Sequence, residues 1–165
     1  MVESKTAFFF EACCHIGATI ANISEREIEQ VREYGQNFGM AFQILDDLLD
    51  YDLNQVDAIG KDAGRDFQER CVTLPLIVLL ERATPSEKEE IKNIFKSPKH
   101  EEEHLEYIQK LIRRYNVERT ILGYAIPYVN RALSSLESLP TCQEKRVSPR
   151  IYLIYFKQKV LIYLL

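Results

Sequence analysis

The feature that most constrains the fold is an amphipathic segment running from residue 24 to about residue 52. Its apolar residues recur at three- and four-residue steps, the spacing that places them on one side of an α-helix. Ser24 and Glu27 have the spacing of a capping box, in which each side chain bonds the backbone N–H of the other residue. The segment therefore predicts a long helix that buries one face, with these apolar positions: Ile28, Val31, Phe38, Phe42, Leu45 and Leu49.

The rest of the chain has the same helical spacing, and strand-like alternation is scarce before the last residues. Pro75 fits the first turn of an apolar helix, and Thr84 and Glu87 form a second capping box. Gly35 and Gly39 lie one turn apart and predict the close approach of another helix. We therefore predict an all-α chain with a loop over 52–71 and further helices over about 2–22, 76–82, 105–115 and 117–139, the last bent or broken near Pro127.

Composition excludes several classes of protein. The 165 residues carry 21 basic and 25 acidic side chains, a net charge of −4, and no basic stripe that would predict a nucleic-acid partner. The four cysteines lack C-x-x-C spacing, so no zinc site is expected. The most apolar segment, 151–165, is too short to span a bilayer, so we expect no transmembrane span. The absence of a signal-peptide pattern predicts a cytoplasmic protein.

Three carboxylates interrupt the apolar pattern of the long helix. Asp46 and Asp50 are four residues apart and share one helix face, with Asp47 beside them. Carboxylates among core-type residues are costly to bury unless they are paired or bind a cation, and no basic residue lies between Gln36 and Leu53. Mg²⁺ prefers such oxygen ligands. The pattern predicts a magnesium site, and its alternative is a solvated helix face or a position near a helix end.

The aspartates belong to a longer series, Phe42-Gln43, Asp46-Asp47, Asp50, Gly60-Lys61, Asp66 and Thr73-Leu74-Pro75, with Lys5-Thr6-Ala7 and Tyr34-Gly35-x-x-Phe38-Gly39 upstream. This series resembles the second aspartate-rich region of the trans-polyprenyl diphosphate synthases. The resemblance implies the C-terminal part of an isoprenoid-synthase-type helical bundle over residues 1–140. Residues 141–165 would then form an atypical apolar tail.

The same resemblance implies a function and a set of site residues. The function is Mg²⁺-dependent prenyl transfer from an allylic diphosphate to isopentenyl diphosphate in isoprenoid biosynthesis. Asp46, Asp47 and Asp50 would hold Mg²⁺, and Lys5, Lys61 and Arg70 would bind diphosphate. Lys5, Thr6 and Gln43 would be catalytic, with the last two placing oxygen dipoles near the developing carbocation.

Two departures from the family pattern leave alternatives open. The family has E-G-K before its T-L-P sequence, whereas this chain has Glu69-Arg70-Cys71, and it contains no first aspartate-rich motif. The chain could be half of an enzyme, a non-catalytic partner of a complete synthase, or an inactive remnant of a degraded gene. For the first reading we expect a homo-oligomer, or a hetero-oligomer with a complementary synthase half. Product chain length is not readable from these residues.

Overall fold

The computed structural model describes residues 6–51, 64–97, 102–137 and 139. All regular structure in these ranges is helical, which confirms the all-α prediction. The helices are α1 (Phe8–Ile20), α2 (Glu25–Leu49), α3 (Arg65–Gln68), α4 (Leu74–Arg82), α5 (Pro85–Lys96), α6 (Glu102–Arg114) and α7 (Val117–Ser135). None of these helices is both long and apolar enough to cross a membrane.

Both predicted capping boxes form. The Glu27 N–H donates to Ser24 Oγ at 3.4 Å, and the Ser24 N–H donates to the Glu27 carboxylate at 2.9 Å. Thr84 and Glu87 make the same exchange at the start of α5. Each exchange satisfies backbone donors that have no partner inside the helix. Pro75 lies in the first turn of α4, as its fixed φ predicts.

Two helix predictions were wrong. The predicted loop contains the short helix α3, which follows a left-handed Gly64 with φ of 86°. Of the bend or break predicted near Pro127, the break is wrong, because α7 continues through that residue. Proline removes the bond to the carbonyl of residue 123, but Gly123 and Pro127 are both exposed, so water can satisfy that carbonyl. Residues 2–5 of the predicted first helix and the tail over 141–165 lie outside the described residues.

The chain divides into two compact units, the first formed by residues 1–43 and 122–165 and the second by residues 44–121. In the first unit, α1 packs on α2 at the two glycines predicted to allow it. A Cβ on Gly35 would lie 2.6 Å from the Phe10 carbonyl oxygen, and one on Gly39 would lie 2.6 Å from Ala7 Cα. Only the missing side chains permit this approach.

Aromatic rings fill the space beside this contact. The Phe10 ring centroid lies 4.9 Å from that of Phe38 and 5.6 Å from that of Phe42. On α7, Val129 packs with Ala41, and Arg131 Nε donates to Asn37 Oδ1 at 3.0 Å. The first unit therefore fixes α2 between α1 and α7.

The second unit has its own apolar core. Its fully buried side chains come from α3 to α7 and the end of α2: Leu48, Phe67, Leu76, Leu79, Ile91, Ile108, Ile112, Val117 and Ile121. Arg82 donates to the Tyr115 carbonyl at 2.9 Å and to Thr120 Oγ1 at 2.7 Å. The first of these bonds satisfies a backbone carbonyl just beyond the end of α6. This core holds the end of α2, where the aspartates lie.

Candidate active site

In the first unit, the structure brings together two of the predicted catalytic residues. The Thr6 hydroxyl donates a hydrogen bond to Gln43 Oε1 although 37 residues separate them in sequence. The close approach of α1 to Gly39 makes this possible, because it brings the backbone around Ala7 against α2 one turn before Gln43. With its proton committed to Gln43, the Thr6 oxygen keeps lone pairs that can face an electron-poor centre.

In the second unit, Asp46 and Asp47 lie in the last two turns of α2. Asp47 is buried with 5% of its surface exposed, and Asp46 is half-buried. A solvated helix face is therefore wrong for Asp47, whereas the other alternative, a position near a helix end, agrees with the end of α2 at Leu49. Burial of a carboxylate carries a desolvation cost that hydrogen bonds or a cation must offset.

Asp50 has different surroundings. Its Oδ1 accepts the Arg65 N–H at 3.0 Å and its Oδ2 accepts the Asp66 N–H at 2.8 Å. Burial raises the pKa of Asp50 above its ordinary value, against the effect of these backbone N–H groups and with a smaller contribution from the charge of Asp46. Both oxygens of the Asp50 carboxylate thus accept hydrogen bonds from the first turn of α3.

Tyr51 is a residue of this region that the sequence reasoning missed. Its ring is buried, and neither its hydroxyl nor the buried Thr73 hydroxyl makes a hydrogen bond of normal geometry within the described residues. Burial, and then the charges of Asp50, Asp66 and Asp47, raise the pKa of Tyr51. Its position directly after Asp50 was the sequence signal that could have singled it out. The same position also fits an ordinary buried aromatic residue.

Arg70 and Cys71 replace the glycine and lysine of the family pattern. Arg70 has a φ of 58°, in the left-handed region that glycine adopts without strain. Its guanidinium donates to the Ser97 carbonyl at 2.7 Å, at the end of α5. The Cys71 thiol is half-buried and not in a disulfide.

Lys5 and Lys61, the other predicted diphosphate ligands, lie outside the described residues. Within the described ranges, no three carboxylate, histidine or cysteine side chains form a complete metal site. Mg²⁺ usually binds one or two carboxylates and completes its shell with water and substrate phosphates. The half-buried Asp46, next to the buried Asp47, suits that incomplete kind of site, whereas Asp50 is committed to backbone donors.

Solved structures share this fold. The chain superimposes on a polyprenyl synthase from Caulobacter crescentus, crystallised with calcium and isoprenyl diphosphate, with a TM-score of 0.79 and 33% identity. The match covers 86% of this chain and 43% of that one. The fold is therefore that of an isoprenoid-synthase-type helical bundle.

Sequence comparison identifies the family. The polyprenyl synthetase family model matches residues 1–112, and the chain belongs to that family. It is 36% identical over 92 residues to octaprenyl diphosphate synthase of Escherichia coli, covering 56% of this chain and 28% of that enzyme. It is 32% identical over 139 residues to a short chain isoprenyl diphosphate synthase of Methanothermobacter thermautotrophicus, covering 84% of this chain and 42% of that enzyme. The chain thus spans less than half the length of these relatives.

Proposed function

We propose that this chain supplies part of the active site for Mg²⁺-dependent transfer of a prenyl group from an allylic diphosphate to isopentenyl diphosphate. The observation that supports this most is the family match over residues 1–112, because that range contains the whole aspartate-bearing end of α2. The curated relatives named above are themselves prenyl diphosphate synthases.

In the proposed reaction, the allylic C–O bond breaks and the diphosphate leaves with the bonding electrons. The double bond of isopentenyl diphosphate attacks the resulting carbocation, and loss of a proton restores a double bond. Bound Mg²⁺ would stabilise the negative charge of the departing diphosphate as a Lewis acid. Asp46, with Asp47 beside it, would hold the cation.

The remaining predicted residues would act on the substrate directly. Lys5 and Lys61 would neutralise diphosphate oxygens as point charges. The Thr6 hydroxyl, oriented by Gln43, would present its oxygen to the carbocation, where a fixed dipole stabilises developing charge. Arg70 would reach a diphosphate only after leaving the Ser97 carbonyl, so we assign it the smallest share of diphosphate binding.

We further propose that prenyl transfer requires the other part of the helical domain, supplied by the same polypeptide or by another chain. Two observations support this. The chain spans 43% of the Caulobacter structure, and several large apolar residues of α1 are exposed: Phe8, Phe9, Ile16 and Ile20. Exposed apolar surface of this kind is typical of an interface.

A second candidate function is that of a non-catalytic partner of a complete synthase. Cys71 favours it, because a thiol cannot provide the fixed positive charge of the family's lysine. The exposed face of α1 would then contact the complete enzyme. Retention of Asp46 and Asp47 supports the catalytic proposal instead, since a scaffold needs no carboxylate in a partly buried helix face.

Binding of Mn²⁺ in the presence of inorganic pyrophosphate tests the proposed site, with free Mn²⁺ measured by its electron paramagnetic resonance signal. We expect Asp46→Asn to weaken Mn²⁺ binding about tenfold or more, because it removes the charged ligand. Glu103→Gln, which makes the same charge change at an exposed position of α6, should leave binding unchanged. Equal affinities in the wild-type and Asp46→Asn proteins would contradict the assignment.

A further inference from the structure

We propose that Asp50 is a positioning residue and not a cation ligand: its carboxylate holds the backbone of residues 65 and 66 against the end of α2. The resemblance stated at the outset placed Asp50 among the magnesium ligands. The inference rests on the proposed function only because it takes Asp46 as the carboxylate that binds the cation.

Three consecutive backbone amides donate to this one residue. The Gly64 N–H donates to the Asp50 carbonyl oxygen at 2.8 Å. The Arg65 and Asp66 N–H groups donate to Oδ1 and Oδ2 at 3.0 and 2.8 Å. A carboxylate that divides its two oxygens between successive amides is oriented towards the backbone, so both Asp50 oxygens already accept a protein donor.

The amides need this acceptor. They belong to the first turn of α3, where N–H groups have no partner within the helix, and the residue before α3 is a glycine that has no side chain to cap it. A negative charge at a helix start is also favoured electrostatically. Asp50 therefore acts as the cap of α3 although 15 residues separate it from Arg65.

The far side of α3 is anchored in the core. Phe67 is 1% exposed, and its ring centroid lies 5.5 Å from that of Phe95 in an edge-to-face contact. Gly64, just before α3, has a φ of 86° in the left-handed region that favours glycine, and a Cβ there would lie 2.4 Å from Leu105 Cδ2. With α3 fixed on both sides, Asp50 sets where Asp66 stands relative to Asp46 and Asp47.

Substitutions at Asp50 separate capping from cation binding. Asn carries no charge and keeps one acceptor oxygen in place of two, Ser keeps one acceptor on a shorter side chain, and Ala keeps no acceptor. The experiment measures hydrogen exchange of the Arg65 and Asp66 amides in the metal-free protein, and Mn²⁺ affinity in the presence of inorganic pyrophosphate. The variants are Asp50→Asn, Asp50→Ser and Asp50→Ala, with Asp46→Asn as the matched ligand variant.

We expect Asp50→Ala to speed exchange of both amides about tenfold, and Asp50→Asn or Asp50→Ser, which keep a single acceptor, to speed exchange of one amide more than the other. Asp50→Asn should keep its Mn²⁺ affinity within about threefold of wild type, while Asp46→Asn loses affinity without faster exchange. Unchanged exchange in Asp50→Ala, or an affinity loss in Asp50→Asn equal to that in Asp46→Asn, would overturn the proposal. The exchange measurement needs no cation, so it can support or contradict the capping role of Asp50 even if the proposed function is wrong.

Discussion

Three aspartates within five residues, at the end of α2 and just beyond it, have three different surroundings. Asp47 is almost completely buried, Asp46 is half-buried, and the Asp50 carboxylate accepts hydrogen bonds from the first two backbone amides of α3. Hydrogen bonds to a charged carboxylate are strong, and they fix the orientation of the Asp50 side chain. Identical residue types in one short motif therefore need not share one role.

Arg70 departs from the family pattern in both its backbone preference and its side-chain chemistry. The left-handed conformation costs an arginine about 1 kcal/mol relative to glycine, and its bond to the Ser97 carbonyl offsets part of that cost. The Arg70 guanidinium, adjacent in sequence to the position of the family's lysine, is thereby hydrogen-bonded at the end of α5. The position next to it holds a thiol, which leaves Lys61 as the main predicted diphosphate ligand from this region.

Glu87 links the start of α5 to the end of α6 and makes stability dependent on pH. The Tyr115 hydroxyl donates to it at 2.6 Å, Thr84 donates from its backbone and side chain, and Arg114 lies 3.0 Å away. These groups lower the pKa of Glu87 from 4.5 to about 2. The folded state thus favours the charged form, so this stabilisation is complete above pH 4.5 and is lost as pH falls towards 2.

We predict that Glu87→Gln lowers the urea midpoint at neutral pH, and that its difference from wild type shrinks as the pH approaches about 2. Glu89→Gln is the control, because Glu89 makes only an exposed pair with Lys92 at 3.5 Å. It should have little effect at any pH. A Glu87→Gln deficit that stays constant across the acid range would show that the charge of Glu87 contributes nothing.

At the scale of the elements, sequence patterns predicted most of the helices and their starts. The capping boxes at Ser24 and Thr84, and the close approach at Gly35 and Gly39, follow from local rules that the structure obeys. Helix α3 could not be predicted this way, because its cap comes from Asp50 across the intervening chain. The continuity of α7 through Pro127 depends on solvent exposure, which the sequence alone does not reveal.

The same limit applies to the candidate site. The motif predicted which residues would be functional, and the contact of Thr6 with Gln43 agrees with a shared location for those two. It could not distinguish Asp50 from Asp46, because spacing on a helix places both on one face and says nothing of what faces them. The long-range partners of Asp50 and Arg70 became visible only in the folded chain.

The packing of α1 on α2 gives a prediction for Gly39. Gly39→Ala should destabilise the protein by about 1–3 kcal/mol, because the new methyl group would lie 2.6 Å from the backbone of Ala7 and 3.2 Å from the Phe10 ring. The added group would also push the backbone beside Thr6 away from α2. Urea unfolding measures the stability change.

Gly123→Ala is the matched control. Gly123 lies inside α7 and has no heavy atom within 4 Å of a built Cβ. Alanine there should stabilise the protein by about 0.5–1 kcal/mol through helix propensity. Equal effects of the two substitutions would contradict the close helix contact.

At the scale of the whole molecule, the chain holds two compact units and an exposed apolar face on α1. Ile20 is 80% exposed and Phe9 is 67% exposed, values unusual for large apolar residues on the surface of a self-contained domain. The chain also spans 42% of its Methanothermobacter relative. We therefore expect catalysis to need helices beyond those described here.

The most direct test is incorporation of labelled isopentenyl diphosphate with Mg²⁺ and an allylic diphosphate primer. The purified chain is assayed alone and after addition of the part of a curated relative that it does not match. We predict elongated product in the mixture, none from the chain alone, and loss of the product when the chain carries Asp46→Ala. Product from the chain alone would contradict the need for further helices, and absence of product from the mixture, or a yield unaffected by Asp46→Ala, would contradict the assignment of prenyl transfer to this site.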